Sequence, residues 1–201
     1  MRIAYQGIPG CNSEAIAAVF ARNLDIPNPR FLPAVHSAGV VAMLHSGEAD
    51  YGVMASRNLI AGEVAETKAA LDGYPHRVLD AQWLPIHHCL FVKEPGTEIH
   101  CIASHIQALG QCKKTLAKRY PDVPLKEVED TAIAARYLAE GVLPPDTGVL
   151  CRKNAGELFG LTLVSENLED DSRNMTEFVL IQPVHRVSKT VIVAGLGLIG
   201  G

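Results

Sequence analysis

Strand-like and helix-like segments alternate along most of the chain, and this alternation predicts an α/β fold with mostly parallel strands. At 201 residues, with 48% apolar and 20% charged side chains, the chain can bury the core of one large domain or of two small lobes. A long extended stretch from Arg77 to Val92, interrupted by Pro85, suits a sheet edge or a crossing between lobes. Two lobes are therefore expected, with a boundary near Asp80.

The β-like run Arg2-Ile3-Ala4-Tyr5 ends in the glycine turn Gly7-Ile8-Pro9-Gly10, after which Asn12 or Ser13 caps a helix through Ala15 to Ala21. Free N–H groups at such a helix start offer a seat for a carboxylate or phosphate, which makes Ser13 a candidate ligand contact. A plain βα connection accounts for the same residues. Val35 to Leu44 reads as a second helix, and Ser46-Gly47-Glu48-Ala49-Asp50 turns it into the strand Tyr51 to Ala55. Arg57 and Asn58 follow at that strand's C-terminal end, where parallel α/β sheets bind ligands. Glu63 to Leu71 reads as a helix with one polar face.

Ser104 begins a helix expected to run to about Tyr120, which places Ser104 and Gln107 at its N-terminal end. Asp130 or Thr131 caps an alanine-rich helix to Ala139. Thr147 to Cys151 is the next strand, and Ala155 to Leu161 a short helix with a glycine stop at Gly160. In Asn174-Met175-Thr176-Glu177-Phe178, a hydroxyl flanked by an amide and a charge precedes the apolar run Phe178 to Ile181. That position is the mouth of a strand, from which a side chain reaches a cleft, so Thr176 is the first candidate for chemistry. A turn threonine satisfied by its own backbone is the plain alternative.

A net charge of −4 gives no electrostatic footprint for nucleic acid or an anionic membrane. The N-terminus lacks the basic-then-apolar layout of a signal peptide, and no apolar run is long enough to span a bilayer, so the expected location is the cytoplasm. Cys11, Cys89, Cys101, Cys112 and Cys151 are scattered and form no C-x-x-C pair, which fits reduced thiols rather than a disulfide framework or structural zinc. His87-His88-Cys89 does not read as a metal site, because adjacent strand residues point to opposite faces. Lys189 to Gly201 is a strand running into G-x-G-x-x-G at Gly195, Gly197 and Gly200. This is the opening of a dinucleotide-binding unit without its helix or ribose-binding acid, so no bound cofactor is expected and the segment reads as the start of a fused domain.

Several motifs in one order resemble the prephenate dehydratase family over about Arg2 to Gln182. They are Gly7-Ile8-Pro9-Gly10-Cys11-Asn12-Ser13-Glu14-Ala15, Gly47-Glu48-Ala49-Asp50-Tyr51-Gly52-Val53, Leu84-Pro85-Ile86-His87-His88-Cys89-Leu90, Ser104-His105-Ile106-Gln107-Ala108 and Asn174-Met175-Thr176-Glu177-Phe178. The tail is similar to the start of a prephenate or arogenate dehydrogenase. The resemblance implies a two-lobed, periplasmic-binding-protein-like (type II) fold with the active site in the cleft between lobes. Residues 1–185 would form the dehydratase domain, with lobe 1 at about 1–79 plus 174–185 and lobe 2 at about 80–173. Residues 186–201 would be a linker and the start of the dinucleotide-binding unit.

The implied reaction converts prephenate to phenylpyruvate by loss of carbon dioxide and the ring hydroxyl, with no metal or organic cofactor. Thr176 would be the proton donor, polarised by Asn58, Ser104, Gln107 or Thr131; Thr176 and Asn58 would be catalytic, with Ser13, Arg57, Ser104, Gln107, Thr131 and Glu177 contacting substrate. Implied partners are prephenate, phenylalanine or tyrosine as effector, further copies of the chain in a dimer or tetramer, and the fused dehydrogenase. Two departures stand out: Arg57 occupies the place of the family's glutamate and Glu177 that of its arginine. If the two positions touch, the exchange keeps an ion pair; if the family arginine contacts substrate, Glu177 repels a dianion. The alternatives are a ligand-sensing domain serving the fused dehydrogenase and a related prephenate lyase.

Overall fold

The computed structural model describes residues 1–184. The first lobe contains β1 (Arg2–Tyr5), α1 (Asn12–Asn23), β2 (Arg30–Pro33), α2 (Ser37–Ser46), β3 (Tyr51–Asn58), β4 (Gly62–Glu63), α3 (Ala65–Leu71) and β5 (His76–Pro85). The second contains β6 (Cys89–Val92), β7 (Cys101–Ser104), α4 (Ile106–Gln111), α5 (Lys113–Arg119), β8 (Leu125–Glu127), α6 (Thr131–Ala139), β9 (Thr147–Cys151), α7 (Lys153–Leu158) and β10 (Thr162–Ser165). The chain then returns to the first sheet as β11 (Met175–Pro183).

Both sheets are mixed, which corrects the expectation of mostly parallel strands. In the first, with order β2-β1-β3-β11-β5, β1 is parallel to β2 and β3 while β11 is antiparallel to β3 and β5. In the second, with order β10-β6-β9-β7-β8, β7 is parallel to β8 and β9 while β6 is antiparallel to β9 and β10. The antiparallel pairs arise where the chain passes between lobes and comes back. β5 stays in the first sheet to Pro85, so the crossing falls at 86–88 rather than near Asp80. Pro85 closes that edge strand, where a missing N–H leaves no ladder bond unmade.

Apolar residues on both faces of the first sheet explain the unbroken run in β11. Phe178 and Leu180 join Ile3, Tyr5, Phe20 and Val53, while Val179 and Ile181 join Ala4, Val40, Leu44 and Met54 on the opposite face. A strand covered on both sides reads as a continuous apolar segment because its two alternating sets are both buried. The first of these clusters continues into the second lobe through Phe91, Ala103, Ala134 and Cys151.

Several element starts differ from expectation. Neither Asn12 nor Ser13 caps α1; Cys11 takes that position and offers no side-chain bond. α2 begins at Ser37 because Val35 has a φ of +51° and His36 is extended. The long helix expected after Ser104 is broken at Cys112 into α4 and α5. α7 ends at Leu158, two residues before Gly160, whose φ is +68°. The G-x-G-x-x-G segment, and the linker expected at 186–201, lie outside the described residues.

Gly10 fixes how the first turn meets the second lobe. Its φ is +89°, and a β-carbon there would lie 2.9 Å from Ala155 Cα in α7. Backbone cannot yield as a flexible side-chain end would, so both conformation and space demand glycine. Gly10→Ala is expected to lower stability by about 1–3 kcal/mol, read as a lower midpoint in urea. An unchanged midpoint would show that the two lobes adjust freely at this contact.

Candidate active site

The cleft holds about 470 Å³ and is lined from both lobes. Its wall is assembled at strand ends. Gln6 to Ser13 follow β1, His36 follows β2, Asn58 ends β3, His105 and Gln107 follow β7, and Glu129 to Thr131 follow β8. β11 runs the other way, so its beginning, not its end, reaches the same place, and this brings Thr176 in. Parallel strands all open at one edge, which is why residues so distant in sequence converge there.

Thr176 and Asn58 stand opposite each other in the antiparallel register of β11 and β3. Both are buried, at 9% and 8% exposure. Asn58 Nδ2 donates to Thr176 Oγ1 at 2.9 Å and also lies 3.0 Å from both Asn174 Oδ1 and the Met175 carbonyl. The other side of the same amide, Oδ1, accepts from the backbone N–H of Ile60 and Ala61 at 3.0 and 2.9 Å. The amide orientation is thus fixed from both ends. Thr176 Oγ1 receives a hydrogen bond, and its own proton remains available toward the cleft.

The chain of polar contacts extends into the second lobe. Asn174 Nδ2 donates to Gln111 Oε1 at 2.9 Å, and His88 Nε2 lies 2.7 Å from the same oxygen. Because that oxygen already accepts from Asn174, the imidazole proton belongs on Nε2. Burial pulls the pKa of His88 down from its ordinary value and so favours the neutral ring, despite the bond to Gln111 and the nearby Glu169 carboxylate. Glu169 positions this segment, accepting from the His88 backbone N–H at 3.0 Å and contacting His87 Nδ1 at 2.7 Å. Among the described residues, no group of three histidine, cysteine or acidic side chains is arranged to hold a metal ion.

Five of the residues singled out from sequence line the cleft: Thr176, Asn58, Ser13, Gln107 and Thr131. Three do not. Ser104 is completely buried at the end of β7, where its hydroxyl donates to the Leu150 carbonyl at 2.7 Å and ties β7 to β9. The helix cap is His105, whose Nδ1 accepts from the Gln107 N–H at 3.3 Å. Arg57 and Glu177 sit opposite each other on the sheet face away from the cleft, with Nη2 3.9 Å from Oε1. Side chains alternate along a strand, so the positions next to cleft-facing Asn58 and Thr176 must point away. Arg57 also lies 5.2 Å from the centroid of the Trp83 ring, and Glu177 Oε2 accepts from the Ser56 hydroxyl at 2.7 Å. The charge exchange thus preserves a contact on the outer face and puts no negative charge in the cleft.

Gln111 and His88 line the cleft although sequence reasoning did not single them out as site residues, and Asn174, within the candidate stretch, supports Asn58 from behind the lining. Gln111 was readable: it lies one helical turn beyond Gln107 and shares its face. His88 lies in a motif that carries the family resemblance, but neither that resemblance nor the metal-site reading places its ring against Gln111.

A family model described as prephenate dehydratase matches residues 3–186. The chain belongs to the prephenate dehydratase family. Arogenate dehydratase 1 of Petunia hybrida is 35% identical over 185 residues, covering 90% of this chain and 42% of its own length. The chain therefore spans less than half of that curated relative. The prephenate dehydratase of Arthrobacter aurescens, solved in complex with L-Phe, superposes with a TM-score of 0.78 at 23% identity, over 92% of this chain and 61% of that one. A structure described as a novel type of quorum-quenching acylase superposes with a TM-score of 0.75 at 27% identity, over 92% of this chain and 65% of its own. The architecture is the two-lobed, periplasmic-binding-protein-like α/β fold expected for this family.

The outer-face pair has a measurable signature. Arg57→Glu and Glu177→Arg each bring like charges opposite one another, and the double exchange restores attraction. We expect the double variant to be more stable than the sum of the single losses by about 0.2–1 kcal/mol, because the pair is partly exposed. Additive losses in a denaturation cycle would show that the two sites act independently.

Proposed function

We propose that this domain catalyses the decarboxylating dehydration of prephenate to phenylpyruvate, in phenylalanine biosynthesis. The observation that carries the proposal is the 2.9 Å bond from Asn58 Nδ2 to Thr176 Oγ1 within the cleft. As the carbon–carboxylate bond breaks, its electron pair enters the ring and expels the hydroxyl. Thr176 gives its proton to that leaving oxygen and regains one from solvent, so that one proton is consumed and the products are carbon dioxide, water and the aromatic keto acid. Threonine is a poor acid by itself. A hydrogen bond into Oγ1 stabilises the charge that develops as the proton departs, and both partners of that bond are buried.

Other cleft residues suit holding the substrate. The first turn of α1 has no side-chain cap, so the N–H groups of Asn12 and Ser13 can serve a carboxylate. Gln107 and Thr131 face them from the second lobe. The neutral His88 ring holds Gln111, which in turn holds Asn174 against Asn58. A second substrate is favoured by the name of the Petunia relative: arogenate has the same ring and carboxylates with an ammonium in place of the keto oxygen. Effector binding by phenylalanine or tyrosine, assembly into dimers or tetramers and fusion to a dehydrogenase complete the reading.

Turnover of prephenate and of arogenate by the purified chain tests it, with phenylpyruvate read by its absorbance in alkali and phenylalanine by chromatography. Thr176→Ala should lower kcat by about 10²–10⁴-fold with an unchanged melting temperature, and Thr176→Ser should keep much of the rate. A folded wild-type protein that turns over neither compound would remove the proposal. Binding without turnover would leave the sensing domain in its place.

A further inference from the structure

The lining of the cleft carries Glu63, Glu66, Glu129 and Asp130 but neither a lysine nor an arginine. Asp130 is engaged in capping α6, its Oδ1 accepting from Ala132 N at 2.7 Å and from Ile133 N at 3.1 Å. Glu66 accepts from Ser37 N at 2.8 Å and from Gln6 Nε2 at 3.0 Å. Glu63 is paired with Lys68, whose Nζ lies 2.7 Å from Glu63 Oε2. The wall's negative charge therefore comes from Glu66, Glu129 and Asp130, and it disfavours a ligand with two carboxylates unless a cation stands within reach.

Arg152 is placed to be that cation. It follows the C-terminal end of β9, which runs parallel to β7, so it emerges at the same edge of the second sheet as His105 and Gln107. Arg152 Nη1 donates to Asn12 Oδ1 at 3.3 Å, and Asn12 lines the cleft. That bond spans the two lobes. The arginine is half-buried, and among the described residues no carboxylate oxygen lies within 4.0 Å of its nitrogens. Burial lowers its pKa, yet a guanidinium remains charged at neutral pH. A partly desolvated charge without a counterion is unfavourable, and a ligand carboxylate would relieve it.

We infer that Arg152, oriented by Asn12, anchors one of the substrate's carboxylates at the junction of the two lobes. The inference rests on the dehydratase reading and adds to it the residue that supplies positive charge. Arg152 acts on binding and not on the proton transfer, so its removal is felt in affinity.

The test compares wild type, Arg152→Gln and Arg152→Lys in the 201-residue chain. Prephenate binding is measured by calorimetry at several salt concentrations, alongside KM, kcat and the melting temperature. Arg152→Gln should raise Kd and KM by about tenfold or more, with kcat within about threefold of wild type and a shallower salt dependence. Arg152→Lys, which keeps the charge without the planar fork, should fall between. An unchanged Kd, or a weaker Kd with an unaltered salt dependence, would overturn the inference while leaving the dehydratase reading intact. A wild type that neither binds nor converts prephenate would overturn both. If Arg152→Gln does not fold, Arg152→Lys decides: a raised KM at constant kcat supports the anchor, and a wild-type KM contradicts it.

Discussion

Asn58 and Thr176 face each other across β3 and β11, and the single hydrogen bond between them gives the cleft its chemical direction. Asn58 cannot rotate, because its carbonyl is engaged by the N–H groups of Ile60 and Ala61 while its amide nitrogen faces acceptors on β11 and Asn174. With the donor thus fixed, the threonine oxygen is an acceptor on one side and a donor on the other. The strand register that produces this arrangement is held by the apolar run Phe178 to Ile181, buried on both faces of the first sheet. A slip by one residue would turn Thr176 out and Glu177 in. Core burial and the orientation of the proposed proton donor are therefore the same constraint.

The second lobe completes the cleft without supplying the hydroxyl proposed to react. Through Gln111 and His88 it holds Asn174, and through His105, Gln107 and Thr131 it forms the opposite wall. Charge is distributed unevenly between wall and rim. Carboxylates line the cleft itself, while Arg57 is committed to the outer face with Glu177 and Trp83, and Arg152 reaches Asn12 from the second lobe. This division makes Arg152 the natural place to look for anion recognition.

Much of this was legible from sequence, for physical reasons that also explain the failures. The alternation of apolar strands and helices gave the two-lobed α/β class, and Thr176 before an apolar run correctly marked a strand mouth. Parallelism was overestimated because residue pattern does not reveal strand direction: β11 and β6 are apolar segments like the others, yet each runs against both of its neighbours. Ser104 reads as a cap from its place before a helix, but it is the last residue of a strand and its hydroxyl is used within the sheet. Arg57 and Glu177 adjoin cleft residues in sequence, and strand parity sends them to the other face. The role of His88 depends on a contact with Gln111, 23 residues away along the chain, which no local pattern records.

On the proposed mechanism, Asn58 acts on turnover through Thr176. A double-mutant cycle on kcat/KM, using Asn58→Ala, Thr176→Ala and the double variant in folded protein, measures that coupling directly. Asn58→Ala is expected to be slow, and removing Asn58 from a chain already lacking the threonine hydroxyl to cost little more. Losses that simply multiply would mean that Asn58 and Thr176 serve the reaction separately, and would contradict it.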